Sequence, residues 1–159
     1  MEVALIDKKA LNNRIDCLEA EIILNHPPVE CPIRHLFTKG MYIREMTAPA
    51  GALITSKIHK TEHPFTISQG KLLVYNDNCQ WVELSAPYTG ITKPGTRRVA
   101  YIVEDCIWTT YHRYSTITGK ENNLSDVEKE KITDRIEGRI IQKRQNIPLK
   151  KGKDKLCLG

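Results

Sequence analysis

Apolar residues recur near the start of the chain at intervals of four, three and four positions: Leu11, Ile15, Leu18 and Ile22. This spacing places them on one face of a helix, with the intervening polar residues mostly on the other face. Asp7 can cap the start of such a helix, and Pro27 ends it because the residue before a proline avoids helical angles. The pattern therefore predicts an amphipathic helix from about Asp7 to Asn25, within an N-terminal segment of residues 1–28.

The pattern then changes to short runs of β-branched and aromatic residues. Such runs include ALITSKI, KLLVY and RRVAYIVED, and turn signals such as Gly51, Gly70 and Pro94-Gly95 separate them. Many short strands at this spacing are typical of a β-sandwich or a β-barrel. We therefore predict a mainly β domain over residues 29–118.

A second amphipathic helix is predicted near the C-terminus. Ser125 and Glu128 have the spacing of a capping box, in which each side chain bonds the other residue's backbone N–H. The apolar positions that follow share one helical face: Val127, Ile132, Ile136 and Ile140. We assign residues 119–147 to this C-terminal helix, and we expect residues 148–159 to form a basic, flexible tail.

The net charge of the chain, +5, comes from its C-terminal end. From Gly138 to Gly159 there are seven Lys or Arg residues and one Asp, a net charge of +6, so the rest of the chain carries −1. A short basic end more often aids solubility than binds phosphates. We therefore expect no nucleic-acid partner.

Cysteine usage and hydropathy bear on the compartment. The five cysteines are scattered and include no CxxC pair: Cys17, Cys31, Cys79, Cys106 and Cys157. This usage fits a reducing compartment better than a disulfide framework, and it gives no zinc-finger spacing. The sequence also has no apolar run long enough to span a membrane and no secretion-signal pattern at its start. We expect a cytoplasmic protein with no membrane partner.

The stretch from Gly51 to Tyr75 combines strand patterns with clustered histidines. Residues of equal parity on a strand share a face, so Lys57, His59 and His63 are expected to point the same way. Two imidazoles and an ammonium group on one face, next to apolar strands, predict a polar pocket inside the β-rich core.

The spacing of these residues also carries a resemblance. Six residues separate His63 from Gly70, and His59 and Lys57 precede His63 at even spacing. The stretch thereby resembles the first motif of the cupin superfamily, with His63 at the glutamate position and Lys57 at the first histidine position. Further on, Arg98 stands at the histidine position of the second cupin motif. The resemblance implies a single cupin-type jelly-roll barrel, mainly β, with an N-terminal amphipathic helix and a C-terminal helix.

Five short stretches carry a second, closer resemblance: Cys31 to Glu45, His59 to His63, Ala86 to Tyr88, Pro94 to Val99 and Glu104 to His112. Through them most of the chain is similar to a group of small, mostly phage-borne, cupin-like proteins of unassigned role. This resemblance implies the same barrel fold, and it carries over no known catalytic residue. For a phage-encoded protein, the expected compartment is the cytoplasm of the infected host cell.

The resemblance to cupins raises the question of a metal, which cupins bind through three histidines and a carboxylate. If a metal is bound, the ligands would be His59, His63 and His112, with an oxygen from Glu45 or Glu104. Arg98, however, stands at a ligand position, and arginine stays protonated and has no lone pair to donate. The charges of Arg98 and Lys57 would also repel a cation. We therefore predict no cofactor, with a divalent metal as the alternative.

The same departures from the cupin motifs suit an anionic ligand. Guanidinium groups bind carboxylate or phosphate through two parallel hydrogen bonds, and aromatic rings stack on a base or a sugar. The candidate ligand-binding residues are Lys57, His59, His63, Arg98, His112, Arg44, Tyr88 and Trp108. The structural alternative is that Arg98 pairs with Glu45 or Glu104 inside the barrel and that the aromatic residues only fill the core.

Three functions of different classes remain open. The leading hypothesis is a non-enzymatic protein whose cationic barrel pocket holds a small anionic, nucleotide-like molecule, which in a phage setting would sequester a host immune signal. The second is a metal-dependent cupin enzyme of the oxygenase or sugar-isomerase type. The third is a structural or assembly protein of the phage particle. The two helical stripes exceed what one barrel needs for cover, so we also predict a homo-oligomer, a dimer or a multiple of one.

Overall fold

The computed structural model describes residues 7–75 and 80–142, with only the backbone for residues 138–142. Its helices are α1 (Lys8–Asn25), a 3₁₀-helix at Lys120–Asn123 and α2 (Asp126–Ile140). Its strands are β1 (Ile33–Thr38), β2 (Met41–Ala48), β3 (Leu53–Thr55), β4 (Ile58–His59), β5 (His63–Tyr75), β6 (Trp81–Ser85), β7 (Tyr88–Thr92), β8 (Val99–Arg113) and β9 (Ile141–Gln142). The tail predicted over residues 148–159 lies outside the described residues.

Two long antiparallel strands, β5 and β8, form the centre of a seven-stranded sheet. The sheet continues through β2 and β1 beyond β8, and through β6 beyond β5. In addition, β3 pairs with the start of β8, and β7 pairs with the start of β5. Side chains from these strands meet in one core: Met46, Ala48, Ala52, Phe65, Ile67, Leu72, Val74, Ala100, Ile102 and Cys106. The predicted mainly β fold with a helix near each end is confirmed.

Strand β5 bends near its middle, where its register against β8 shifts between Ile67 and Leu72. Gly70 lies in this bend with φ of +89°, and a Cβ at this position would collide with the backbone of Asp105. Glycine is therefore the residue that fits here without a shift of the backbone. The bend lets one strand pair with β7 before it and with β6 after it.

Both predicted helix N-termini are confirmed. Asp7 accepts a hydrogen bond from the Lys9 backbone N–H at 3.3 Å. In the capping box, the Glu128 carboxylate accepts from the Ser125 backbone N–H at 3.1 Å, and Ser125 Oγ accepts from the Glu128 N–H at 3.3 Å. In the described part of the chain, no helix combines the length and the apolarity needed to cross a membrane.

Each helix buries part of its apolar stripe against the chain's own sheet. Leu11 and Ile15 of α1 pack on Val99, at the start of β8. Ile136 of α2 packs in a second cluster with Tyr42 of β2. Burying apolar area on the sheet stabilises each helix, because neither helix has enough intrinsic propensity to be stable alone in water. Much of the two stripes from which we predicted a homo-oligomer is thus covered within one chain, although Val127 stays 62% exposed.

A homo-oligomer remains a prediction, but exposed apolar residues outside the two stripes now support it. Large apolar side chains remain exposed at the end of α1 and on β3 and β8: Ile23, Leu24, Leu53, Tyr101 and Val103. We expect light scattering at micromolar concentration to give the mass of a dimer or of a multiple of a dimer. A monomeric mass across that range would contradict the prediction.

Candidate functional site

A cavity of about 230 Å³ lies between β2, β8, the segment around β4 and helix α2. Trp108, Thr110 and His112 line it from one face of β8, as equal parity on a strand predicts. Seven of the eight candidate ligand-binding residues line this cavity: Arg44, Lys57, His59, His63, Arg98, Trp108 and His112. The fold thus brings together residues from five separate parts of the chain.

Tyr88 is the candidate that does not line the cavity. It lies on β7 with 40% of its surface exposed, and its ring stands 5.9 Å from that of Phe65. Gly90 has no side chain, and the rings of Phe65 and Tyr88 fill the space where its Cβ would lie. The Tyr88 ring therefore packs against Phe65 and is not part of the cavity lining.

Three histidines form the centre of the cavity wall. The ring centroids of His59 and His63 are 4.5 Å apart, and those of His63 and His112 are 4.4 Å apart. The His59 and His112 rings are stacked at 6.4 Å. The sequence places His59 and His63 on either side of the tight corner between β4 and β5, whereas His112 comes from the far end of β8.

Burial lowers the pKa values of all three imidazoles. Desolvation first, and then the neighbouring His63, bring the pKa of His59 to about 4 and that of His112 to about 3. Burial likewise lowers the pKa of His63 from its ordinary value, although a hydrogen bond to the Thr61 carbonyl opposes this. The three rings are therefore neutral at pH 7, and each has one N–H donor and one acceptor nitrogen.

Arg98 contributes a guanidinium group from the segment just before β8. Its Nη2 donates a hydrogen bond to Thr92 Oγ1 at 3.3 Å, and its Cζ lies 4.9 Å from the centroid of the Phe65 ring. Both contacts fix the plane of the guanidinium group at the cavity wall. A fixed guanidinium plane suits two parallel hydrogen bonds to one carboxylate or phosphate.

Glu137 of α2 contributes a carboxylate to the cavity lining. Its Oε1 lies 3.7 Å from Arg44 Nε, and its Oε2 lies 3.4 Å from Lys57 Nζ. One carboxylate thus stands between two cations, and the C-terminal helix is tied to β2 and to the segment before β4.

The carboxylates that the sequence suggested as partners of Arg98 form ion pairs with other residues. Glu45 binds Arg34 through two hydrogen bonds, at 3.0 and 3.2 Å. Glu104 lies 3.9 Å from Lys71. Of the described residues that line the cavity, Glu137 is the one that carries a carboxylate.

Several buried polar atoms of the cavity have no hydrogen-bond partner among the described residues. They include the indole Nε1 of Trp108 and the Nδ1 atoms of His59 and His112. A buried polar group without a partner costs about 1–3 kcal/mol, so such atoms usually contact water or a ligand. The cavity therefore offers neutral donors and acceptors beside its charged groups.

The cavity residues do not fit the metal site that a cupin resemblance implies. Neutral imidazoles suit divalent metals, and His59, His63 and His112 do lie together. Yet the described residues include no group of three or more His, Cys, Asp or Glu that is arranged to hold a metal ion. The positive charges of Arg98 and Arg44 act on the His59 imidazole and disfavour a cation beside it. Glu137 is paired with cations, so it does not supply the missing carboxylate.

Among the lining residues that sequence reasoning missed are the carboxylate of Glu137 and the hydroxyl of Thr92 that accepts from Arg98. The sequence shows only that Glu137 follows Ile136, a member of the predicted apolar stripe. A residue at the edge of a buried stripe borders the surface that the helix covers. Nothing in the sequence, however, shows that α2 covers the cavity.

No family model and no curated protein matches the chain. Among solved structures, it is similar to an HTH_3-family transcriptional regulator from Vibrio cholerae, with 21% identity over 53% of this chain and 51% of that one, and a TM-score of 0.45. The chain therefore spans about half the length of that regulator.

Two shorter solved proteins are also similar in fold. One is an uncharacterized conserved protein with a double-stranded β-helix domain from Klebsiella pneumoniae, with 22% identity, coverage of 57% of this chain and 84% of that one, and a TM-score of 0.48. The other is an RmlC-like cupin family protein from Methanocaldococcus jannaschii, with 8% identity, coverage of 60% and 87%, and a TM-score of 0.47. These likenesses concern the fold alone.

Proposed function

We propose that the protein is a non-enzymatic binding protein whose cavity holds a small anionic molecule. The observation that carries the proposal is the charge of the cavity lining. Arg44, Lys57 and Arg98 supply three positive charges, and Glu137 supplies the negative charge among the described lining residues. Because the three imidazoles are neutral, the described lining residues carry an excess of positive charge. Cationic side chains on the wall of a cavity attract an anion and hold it through charge-assisted hydrogen bonds.

The neutral groups of the cavity fit the same ligand. An anion with further polar atoms can accept from the Trp108 indole N–H and from the imidazoles of His59 and His112. These groups would then gain the partners that they lack among the described residues. Such hydrogen bonds supply orientation, whereas the guanidinium of Arg98 supplies most of the attraction.

The volume of the cavity favours a ligand with few atoms. Ligand pockets usually measure about 300–1,000 Å³, and this cavity measures about 230 Å³. A nucleotide-like ligand would enter with its phosphate toward Arg98 and leave its base near the mouth. If that ligand is a signalling nucleotide of an infected cell, binding here would sequester it.

We expect Arg98→Met to weaken anion binding by about 10- to 100-fold, because a charge-assisted, bidentate hydrogen bond contributes about 1.5–3 kcal/mol. Titration calorimetry with inorganic phosphate, a dicarboxylate and a nucleoside monophosphate measures the effect. Arg98→Lys should retain part of the affinity, because lysine keeps the positive charge but cannot donate two parallel hydrogen bonds. Arg113→Met, at the exposed end of β8, removes the same charge outside the cavity and should leave binding unchanged.

Wild-type protein that binds none of these anions would refute the proposed function. Stoichiometric iron, manganese or zinc that is lost on His59→Ala would instead favour a metal-dependent enzyme. A small molecule that is released by heating the purified protein and identified by mass spectrometry would name the ligand directly. If neither anion nor metal binds, a structural or assembly role becomes the better hypothesis.

A further inference from the structure

We infer that helix α1 positions part of the cationic wall of the cavity, and that Arg97 and Ser56 connect the two. The described residues of α1 do not line the cavity. They act on it through the side chain of Arg97 and through the segment 55–57, which does line it. This inference rests on the proposed function, because it concerns how the same cavity holds its anion.

Arg97 joins α1 to that segment from outside the cavity. Its side chain is 4% exposed, and its Nη1 and Nη2 lie 2.6 Å from the Asp16 carboxylate and 3.1 Å from the Glu19 carboxylate. Its Nε donates a hydrogen bond to the Ser56 carbonyl at 3.2 Å, and its Nη1 donates to the Asn12 carbonyl at 3.0 Å. One buried guanidinium group therefore contacts both α1 and the backbone of a residue that lines the cavity.

A second contact ties the same segment to α1. The Thr55 hydroxyl donates a hydrogen bond to the Glu19 carboxylate at 2.5 Å, and Thr55 also lines the cavity. Glu19 is only 9% exposed, so little water competes for this bond. Two successive residues of the cavity wall, Thr55 and Ser56, are thus held by groups that belong to α1 or contact it.

Ser56 connects this network to the backbones of two cationic residues. Its N–H donates to the Arg98 carbonyl at 2.8 Å, and its Oγ accepts from the Arg98 N–H at 2.7 Å. The same Oγ donates to the Lys57 carbonyl at 3.1 Å. The Ser56 hydroxyl is therefore bonded to the backbones of both Lys57 and Arg98, while the Ser56 carbonyl is bonded to Arg97.

The position of the Arg98 backbone affects binding because the hydrogen bonds of a guanidinium group are directional. Two parallel bonds to one carboxylate or phosphate need both N–H donors aligned at once. A binding group has to be held within about 0.5 Å of its productive position. If the segment 55–57 moves, the backbone of Arg98 loses its bonds to Ser56, and the affinity for an anion falls although every lining side chain is still present.

A purely structural role for Arg97 predicts a different result. If Arg97 only holds α1 on the sheet, a variant that stays folded should bind an anion as well as wild type does. If Arg97 positions Arg98, the variant should bind more weakly. It should do so only while residue 98 is an arginine, because a lysine there has no pair of parallel donors to align. A double-mutant cycle therefore separates the two roles.

The test measures the affinities for inorganic phosphate and for a dicarboxylate, by calorimetry on the full chain. Arg97→Lys keeps the positive charge beside the carboxylates of α1 but loses the planar set of donors that also reaches the Ser56 carbonyl. We expect it to weaken binding at least about fivefold in the wild-type background and less than about twofold in the Arg98→Lys background. The matched control is Arg34→Lys, the same substitution in an exposed ion pair on β1, which should leave the affinity unchanged. Circular dichroism confirms that each variant is folded.

Ser56→Ala keeps the inference testable if Arg97→Lys does not fold, because it removes a single half-buried hydroxyl. We expect the same pattern, with weaker binding in the wild-type background and little further loss in the Arg98→Lys background. An unchanged affinity in the folded variants, or an equal loss in both backgrounds, would overturn the inference. If wild-type protein binds neither probe, it is the proposed function itself that fails.

Discussion

Replacing Arg97 with methionine is expected to lower the free energy of unfolding by about 3–5 kcal/mol, because it breaks a buried ion-pair network from one side. The Arg97 side chain is 4% exposed, and its Nη1 and Nη2 lie 2.6 Å from Asp16 and 3.1 Å from Glu19. It also donates to the backbone carbonyls of Ser56 and Asn12, at 3.2 and 3.0 Å. The methionine would leave both carboxylates of α1 facing the sheet without this cation.

Urea denaturation measures the loss, and in a chain of this size it corresponds to a fall of roughly 6–20 °C in the melting temperature. The matched control is Arg98→Met, at the next position. We expect it to cost less than Arg97→Met, because Arg98 is half-buried and borders the cavity, whereas Arg97 is enclosed between α1 and the sheet. Equal losses for the two variants, or a stable Arg97→Met protein, would show that Arg97 does not hold α1 on the sheet.

The two adjacent arginines show what the sequence could and could not predict. Neighbouring side chains of an extended segment point to opposite faces, so a prediction that Arg98 faces the cavity already implies that Arg97 faces away from it. The sequence does not show that α1 lies over this outer face. Arg97 therefore looks like a solvent-exposed residue until the contact with Asp16 and Glu19 is seen.

The histidine cluster was predictable because it depends on short-range rules. Equal parity and one tight corner suffice to bring Lys57, His59 and His63 to one face, and the pattern on β8 adds His112. The cavity's own carboxylate was not predictable. Glu137 reaches the cavity only through the packing of α2 on β2, a contact between distant segments that no local spacing encodes.

A ligand-binding role was proposed for Tyr88 from its residue type, whereas in the folded chain its ring packs against Phe65. Its aromatic ring is placed by the missing side chain of Gly90 and by the ring of Phe65, both of which are details of packing at an edge strand. Residue type alone does not determine on which side of a strand pair such a ring lies. By contrast, Trp108 lines the cavity because it shares the parity of His112 on the central strand β8.

Acidification from pH 7 to pH 5 is expected to destabilise the protein through its buried histidines. In the unfolded chain each histidine has a pKa near 6.5, whereas folding lowers it to about 4 in His59 and about 3 in His112. Below pH 6.5 the unfolded chain therefore binds protons that the folded protein does not bind, and the free energy of unfolding falls with the pH. His63, whose pKa is lowered as well, acts in the same direction.

The free energy of unfolding is expected to fall by about 1.4 kcal/mol per pH unit for each proton that only the unfolded chain binds. His59 and His112 together should contribute about 2–3 kcal/mol per pH unit between pH 6 and pH 5. Urea denaturation at several pH values measures this slope, in a range where most carboxylates stay ionised. His112→Gln should make this slope shallower by the contribution of about one proton. The matched control, His26→Gln, changes an exposed residue just after α1 and should keep the slope of wild type.

The same measurement tests the ligand, because a bound anion reverses part of the effect. An anion beside Arg98 favours the protonated form of the neighbouring imidazoles, and it raises their pKa values in the folded protein toward 6.5. Saturating phosphate should therefore stabilise the protein more at pH 5 than at pH 7, and the slope should become shallower. A slope that phosphate leaves unchanged in wild type, or that His26→Gln flattens as much as His112→Gln, would show that the cavity histidines do not control the response to acid.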